Sequence, residues 1–345
     1  MSKHRLSFVH RLVVRVLALC VLVLAPGLAT AGTTMDTIRQ KGVLRCGVNT
    51  GLLGFSAPDS TGKWTGIDAD FCKAVAAALL GDASKVQFVP TNAQNRFTAL
   101  QSGEVDILSR NTTWTSSRDA ALGAVFAGTL FYDGQGFMVK KSRKITSAAQ
   151  LNGATVCVIP GTTTELNLSD YFRTKKMKFK PVVIAELNQI QQAFFAGRCD
   201  VYTTDISGLA ATRLTAPNKD DYAILPEAIS KEPLGPMVRR GDWEFFNLVR
   251  WTLFGLLEAE EYGVTAANAD KLKADSKDPP IQRLLGTSGD VGKAMGVDND
   301  WLLNAVKAVG NYGEIYQRNI GPLGIARGQN ALWRDKGLMY APPIR

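Results

Sequence analysis

Histidine is nearly absent from this sequence: 345 residues include two, His4 and His10, both within the first ten positions. Around them lie Lys3, Arg5, Arg11 and Arg15, and then an uninterrupted apolar run from Val16 to Ala25. Pro26, Gly27 and the small triplet Ala29-Thr30-Ala31 follow. This three-part layout predicts a secretory signal peptide over residues 1–31, cleaved after Ala31. The run is half the roughly 20 residues that a helix needs to span a bilayer, and no later segment is longer or more apolar. Cleavage removes both histidines. Ser-His-Asp and Cys-His catalysis are then excluded, along with nearly all catalytic zinc sites, so no enzyme, metal or cofactor is expected.

A clustered basic face is also missing. The formal charge of +9 falls to +5 once the four basic residues of the leader are gone, and nucleic acid is not an expected partner. Of the five cysteines, Cys20 sits in the leader, leaving Cys46, Cys72, Cys157 and Cys199. No C-x-x-C pair occurs, which excludes thioredoxin-like and zinc-ribbon chemistry. Gly54–Lys63 lacks the spacing of a phosphate loop, Gly134-Gln135-Gly136 lacks the third glycine of a dinucleotide fingerprint, and Asp298-Asn299-Asp300 lacks the glycine of a calcium loop. What remains is globular composition, 46% hydrophobic and 21% charged, long enough for two domains.

The chain repeats itself. Arg96-Phe97 leads through Leu100-Gln101-Ser102-Gly103 to Asp106-Ile107-Leu108-Ser109-Arg110-Asn111. Ala193-Phe194-Phe195-Ala196-Gly197 leads likewise to Asp200-Val201-Tyr202-Thr203-Thr204-Asp205. Each unit is a helix ending at a glycine, an aspartate three residues on, and an apolar strand ending on a polar residue, Asn111 or Asp205. Glycine suits such a helix end because it accepts positive φ. Asp106 and Asp200 read as structural ties before each strand. The units also begin alike. Gly42–Val48 forms a strand after a helix near Met35–Lys41, and Gly153–Ile159 forms another after a helix near Ala148–Leu151. Helices are expected at Asp68–Leu80 and Thr164–Lys175. Alternating strands and helices imply two similar α/β lobes with parallel strands.

Ligands of such sheets bind beyond the carboxyl ends of the strands. Here those ends run into Asn49-Thr50-Gly51-Leu52-Leu53-Gly54-Phe55 and into Pro160-Gly161-Thr162-Thr163-Thr164-Glu165, a Gly-Thr-rich helix start suited to an anion. Two facing edges would enclose a cleft between lobes.

These segments resemble the solute-binding proteins of bacterial ABC importers, in the polar amino-acid class. Leu44–Asn49, Gly161–Leu168, Gly197–Asp200 and Asn311–Tyr316 are similar to the general L-amino acid-binding subgroup. The resemblance implies a type II periplasmic binding fold with a two-strand hinge, crossed near Tyr132–Gly136 and Ser230–Pro236. It divides the chain into lobe I at 32–133, lobe II at 134–233, and a return to lobe I with a C-terminal extension at 234–345. It implies an L-amino acid ligand, an inner-membrane ABC permease as partner, a monomer, and periplasmic location. Arg118 would grip the ligand carboxylate with paired hydrogen bonds, joined by Thr163 from the other lobe. Asp205 would take the ammonium, with Asn111 and Thr113 as neutral partners. Leu52 falls where relatives place a ring over the ligand, with Phe55 just beyond. A leucine there offers no quadrupole to select cations, so broad specificity is expected.

Four cysteines permit three pairings. The duplication favours Cys46–Cys72 and Cys157–Cys199, one bridge per lobe, since a bridge between lobes would restrain closure. A helix is expected over Trp243–Tyr262, capped by Asp242 and ended by Gly263, its aromatics packing in the core. Two alternatives stand beside the general receptor: an exported dehydratase-like enzyme on the same fold, and a narrow glutamate or glutamine receptor.

Overall fold

The computed structural model describes residues 33–345; the expected leader lies outside the described residues. Fourteen strands occur among them: β1 (Leu44–Val48), β2 (Ala57–Pro58), β3 (Trp64–Thr65), β4 (Val86–Pro90), β5 (Ile107–Leu108), β6 (Ala124–Phe126), β7 (Phe131–Asp133), β8 (Gln135–Lys140), β9 (Thr155–Val158), β10 (Lys180–Val183), β11 (Val201–Asp205), β12 (Tyr222–Ile224), β13 (Glu232–Leu234) and β14 (Met237–Arg239).

They form two five-stranded sheets, ordered β4-β1-β5-β14-β6 and β10-β9-β11-β8-β12. In each, three parallel strands come first and an antiparallel strand lies next to the third. Each of those antiparallel strands, β8 and β14, follows directly from a strand of the ribbon β7–β13, which pairs Phe131 with Leu234 and Asp133 with Glu232. The chain therefore crosses between two similar lobes on a two-strand hinge. Where it leaves the ribbon, a Cβ at Gly235 would lie 2.0 Å from the carbonyl oxygen of Gly128, a crossing that only glycine allows.

Alternation builds the second lobe. Phe137, Val139, Val156, Val158 and Val201 pack on one face of its sheet, under Leu168 and Phe172. Their neighbours Met138, Cys157 and Tyr202 pack on the other, under Ile190, Phe194 and Leu209. A period of two with both faces covered is what buried parallel strands require. In the first lobe the helix Ile67–Leu80 is buried at nearly every position. Residues after β14, including Leu302, Val306, Tyr312 and Tyr316, belong to its core.

The repeated aspartates act as read. Asp106 accepts from the Arg45 N–H at 2.9 Å, and Asp200 from the Thr155 N–H at 2.8 Å, each tying down the first strand of its sheet. Cys46 is bonded to Cys72 and Cys157 to Cys199, with Cα atoms 6.3 and 5.6 Å apart, normal for disulfides. The helix Trp243–Glu261 is capped by Asp242, which accepts from Phe245 N–H. Phe245 and Phe246 are core, whereas Trp243, the first helical residue, is 60% exposed with its ring edge-on to Phe246 at 5.4 Å. Ala148–Gln150 forms one 3₁₀ turn rather than an α-helix, closed by a Ser147/Gln150 capping box.

Candidate functional site

The carboxyl ends of β1, β5, β9 and β11 meet across a cavity between the lobes. Lobe I lines it with Asn49, Leu52, Ala93, Arg96, Arg110, Asn111 and Thr113, lobe II with Ile159, Thr162–Thr164, Leu187, Tyr202–Asp205 and Gly208. Five of the residues expected from sequence, Leu52, Asn111, Thr113, Thr163 and Asp205, are thus brought together.

Asn111 has φ 36°, a left-handed conformation that asparagine tolerates better than most residues. Buried Asp68 holds it there, accepting from the Asn111 N–H at 2.8 Å and from Ser109 Oγ at 2.8 Å. Burial pushes the Asp68 carboxyl up to about 6, against the pull of those bonds. The Asn111 Oδ1 accepts from Asn49 Nδ2 at 2.9 Å, which locks two strand ends of the lobe together.

In lobe II, Gly161 at φ 72° turns the chain into the helix Thr163–Thr174. Thr162 caps it, accepting from the Glu165 N–H. The N–H groups of Thr163 and Thr164 have no acceptor within the helix, as at any helix start. Asp205 stands where an N-cap would, before Ile206–Leu214, yet its side chain makes no capping bond. The carboxylate is therefore free for the cavity. Burial, and then the carboxyls of Asp133 and Glu232, push it well above the usual range, with Asn111 and Arg96 opposing.

Arg118 does not line the cavity. It is 9% exposed behind Thr113, donates from Nη1 to the Thr113 carbonyl at 2.8 Å, and lies 5.3 Å from the Phe97 ring centre. Phe55 is not brought to the cavity either. It is 1% exposed and packs edge-on against Phe131 at 5.3 Å, because Gly66 folds its loop back onto the lobe I core. Thr163 differs from expectation in one respect. Its hydroxyl, like that of Thr113, donates to Glu232 Oε2, at 3.0 and 2.6 Å. Each hydroxyl has one proton, so toward the cavity both present lone pairs, and only the Thr163 N–H can serve an anion.

Two arginines that line the cavity are not evident from the sequence pattern. Arg110 is buried and donates to the Thr91 carbonyl at 3.0 Å; burial lowers it to about 10, offset by Asp68. Arg96 is 3% exposed and reaches the Gly161 carbonyl of the other lobe at 3.5 Å, while its Nε has no partner. Burial, then the charges of Arg110 and Arg118, hold it well below the usual arginine range. The repeat held a signal. Aligned on Gly103 and Gly197, Arg96 matches Ile190, a core residue, so a charge replaces an apolar side chain at an inward helix position.

Two α/β lobes on a two-strand hinge, with a polar, charge-lined cavity between them, define a type II solute-binding protein. Residues 44–268 match the model of the bacterial extracellular solute-binding proteins, family 3, and the chain belongs to that family. It is 57% identical over 329 residues, 94% of this chain and 96% of the relative, to the general L-amino acid-binding periplasmic protein AapJ of Rhizobium johnstonii. The glutamate/glutamine/aspartate/asparagine-binding protein BztA of Rhodobacter capsulatus is 54% identical over 92% of this chain and 95% of its own length. An ABC transporter periplasmic binding protein from Brucella ovis, solved with glutathione bound, superposes with a TM-score of 0.89 at 54% identity, covering 91% of this chain and all of that one.

Proposed function

We propose that this protein is the periplasmic receptor of an ABC importer for L-amino acids, accepting many side chains and handing the ligand to its permease. Lobe I, as 32–133 with 234–345, and lobe II, as 134–233, close on the ligand, and residues 1–31 direct export. The observation that carries this reading is one buried carboxylate, Asp205, that caps no helix and faces buried arginines of the opposite lobe across one cavity. An α-amino acid presents opposite charges on one carbon, and burying both requires a partner for each. Asp205 accepts from the ammonium, with Asn111 and the hydroxyl lone pairs of Thr113 and Thr163 beside it. The N–H groups of Thr163 and Thr164 take the carboxylate, buried Arg110 balances its charge from lobe I, and Arg118 supports Thr113 from behind the cavity wall. Leu52 offers an apolar wall with no quadrupole. The relatives named above are binding proteins, and none supports the dehydratase alternative.

A thermal-shift panel of the twenty amino acids tests this. Many chemically distant L-amino acids should raise the melting temperature, and analogues without the α-amine should not. Stabilisation by a single amino acid would replace the general receptor with a narrow one.

Arg96 adds a preference within that breadth. Its unpaired Nε suits a second anionic group, as on glutamate, aspartate or the distal carboxylate of a peptide such as glutathione. A hydrogen bond to a charged group contributes about 1.5–3 kcal/mol. Arg96→Met should therefore weaken L-glutamate by about 10- to 150-fold in calorimetry while leaving L-alanine within about threefold.

A further inference from the structure

Glu232 lies on the hinge strand β13, is 1% exposed, and is paired in register with Asp133. It does not line the cavity, yet its carboxylate is fully engaged. Oε2 accepts from Thr113 of lobe I and Thr163 of lobe II, at 2.6 and 3.0 Å. Oε1 accepts from Asn167 of lobe II at 2.7 Å and from Ser230 of the hinge at 2.5 Å. Arg118 lies within its field, and the attraction steadies the arginine's charge against burial. One side chain thus joins both lobes and the hinge through the protein's own hydrogen bonds. A buried carboxylate with four donors is costly to expose half-satisfied, and opening the lobes must break either its Thr113 bond or its Thr163 and Asn167 bonds.

We infer that Glu232 is a positioning residue for closure, an internal carboxylate latch that sets the population of the closed lobes and thereby scales affinity for every ligand alike. The apparent dissociation constant of such a receptor equals the intrinsic one divided by the closed, binding-competent fraction. A residue acting on that fraction shifts all ligands by one factor, whereas a ligand contact shifts only those that use it. The inference rests on the amino-acid reading only for the choice of ligands.

The test uses the protein refolded from guanidinium to strip carried-over ligand, with spin labels on Ser84→Cys and Lys175→Cys, exposed positions in the two lobes. In Glu232→Ala, the inter-label distances measured without ligand should lengthen and broaden relative to wild type. L-glutamate and L-alanine should each weaken by the same factor, about tenfold or more, and Glu232→Gln, which keeps one acceptor oxygen, should fall between. Unchanged distances would overturn the latch, and so would a loss confined to one of the two amino acids, which would make Glu232 a ligand contact. If Glu232→Ala fails to fold, the distances and the two affinities of Glu232→Gln decide between the same outcomes. The distance measurement stands even if neither amino acid binds the wild type, a result that would refute the proposed function alone.

Discussion

Replacing Arg118 by alanine is expected to abolish measurable amino-acid binding while the protein stays folded. The guanidinium supports the Thr113 carbonyl, lies over the Phe97 ring, and compensates the nearby carboxylates of Glu232 and Asp205. Truncating one partner of a buried charge-paired contact costs about 2–5 kcal/mol, or about 30- to several-thousand-fold in affinity. Arg118→Lys keeps the charge but not the planar fork, and should recover only part of the loss. Calorimetry on both variants, with circular dichroism as the folding control, decides the matter. A loss of less than fivefold in Arg118→Ala would show that Arg118 does not sustain the site from behind Thr113, and would leave anion binding to Arg96, Arg110 and the Thr163–Thr164 amides.

Asp205→Asn should produce a comparable loss for ligands carrying an α-ammonium. The amide still accepts one hydrogen bond, but the buried ammonium then lacks its counter-charge, and about 30-fold or more is expected. Wild type and variant should differ little toward analogues lacking the amine. The same carboxylate predicts a pH dependence. Burial and the carboxyls of Asp133 and Glu232 raise Asp205, and Asp133 itself is raised to about 6 by burial. An ammonium binds the ionised carboxylate, so binding lowers the Asp205 value and releases a proton wherever the free site holds one. Affinity should accordingly fall with decreasing pH over the range in which the free Asp205 carboxyl takes up its proton, and level off above that range. In Asp205→Asn that decline should flatten. Calorimetry in buffers of different ionisation enthalpy measures the released proton directly, and an affinity constant from pH 5 to pH 8 would contradict the assignment.

Much of this molecule is set by short-range chemistry. The helix at Ile67–Leu80, the Thr162 cap, the Asp242 cap and the glycines at 103 and 197 follow from caps and periodicity over a few residues. The duplicated Gly-x-x-Asp units place Asp106 and Asp200 beneath the first strand of each lobe, and the repeat carries the disulfide pairing with it. Asn111 and Asp205 were legible as equivalent strand ends for the same reason, since parallel strands present their carboxyl ends to one side. The tertiary structure alone decided the rest. Phe55 and Leu52 are three residues apart in one loop, and only the fold of that loop against Phe131 sends one to the core and the other to the cavity. Arg96 and Arg110 stand fourteen residues apart and become a buried pair only when helix and strand end converge. Glu232 reads locally as an ordinary strand residue, and its four donors come from the hinge and from both lobes. The placing of a buried charge depends on partners distant in sequence, because the cost of burying it is met only by groups that the finished packing brings within reach.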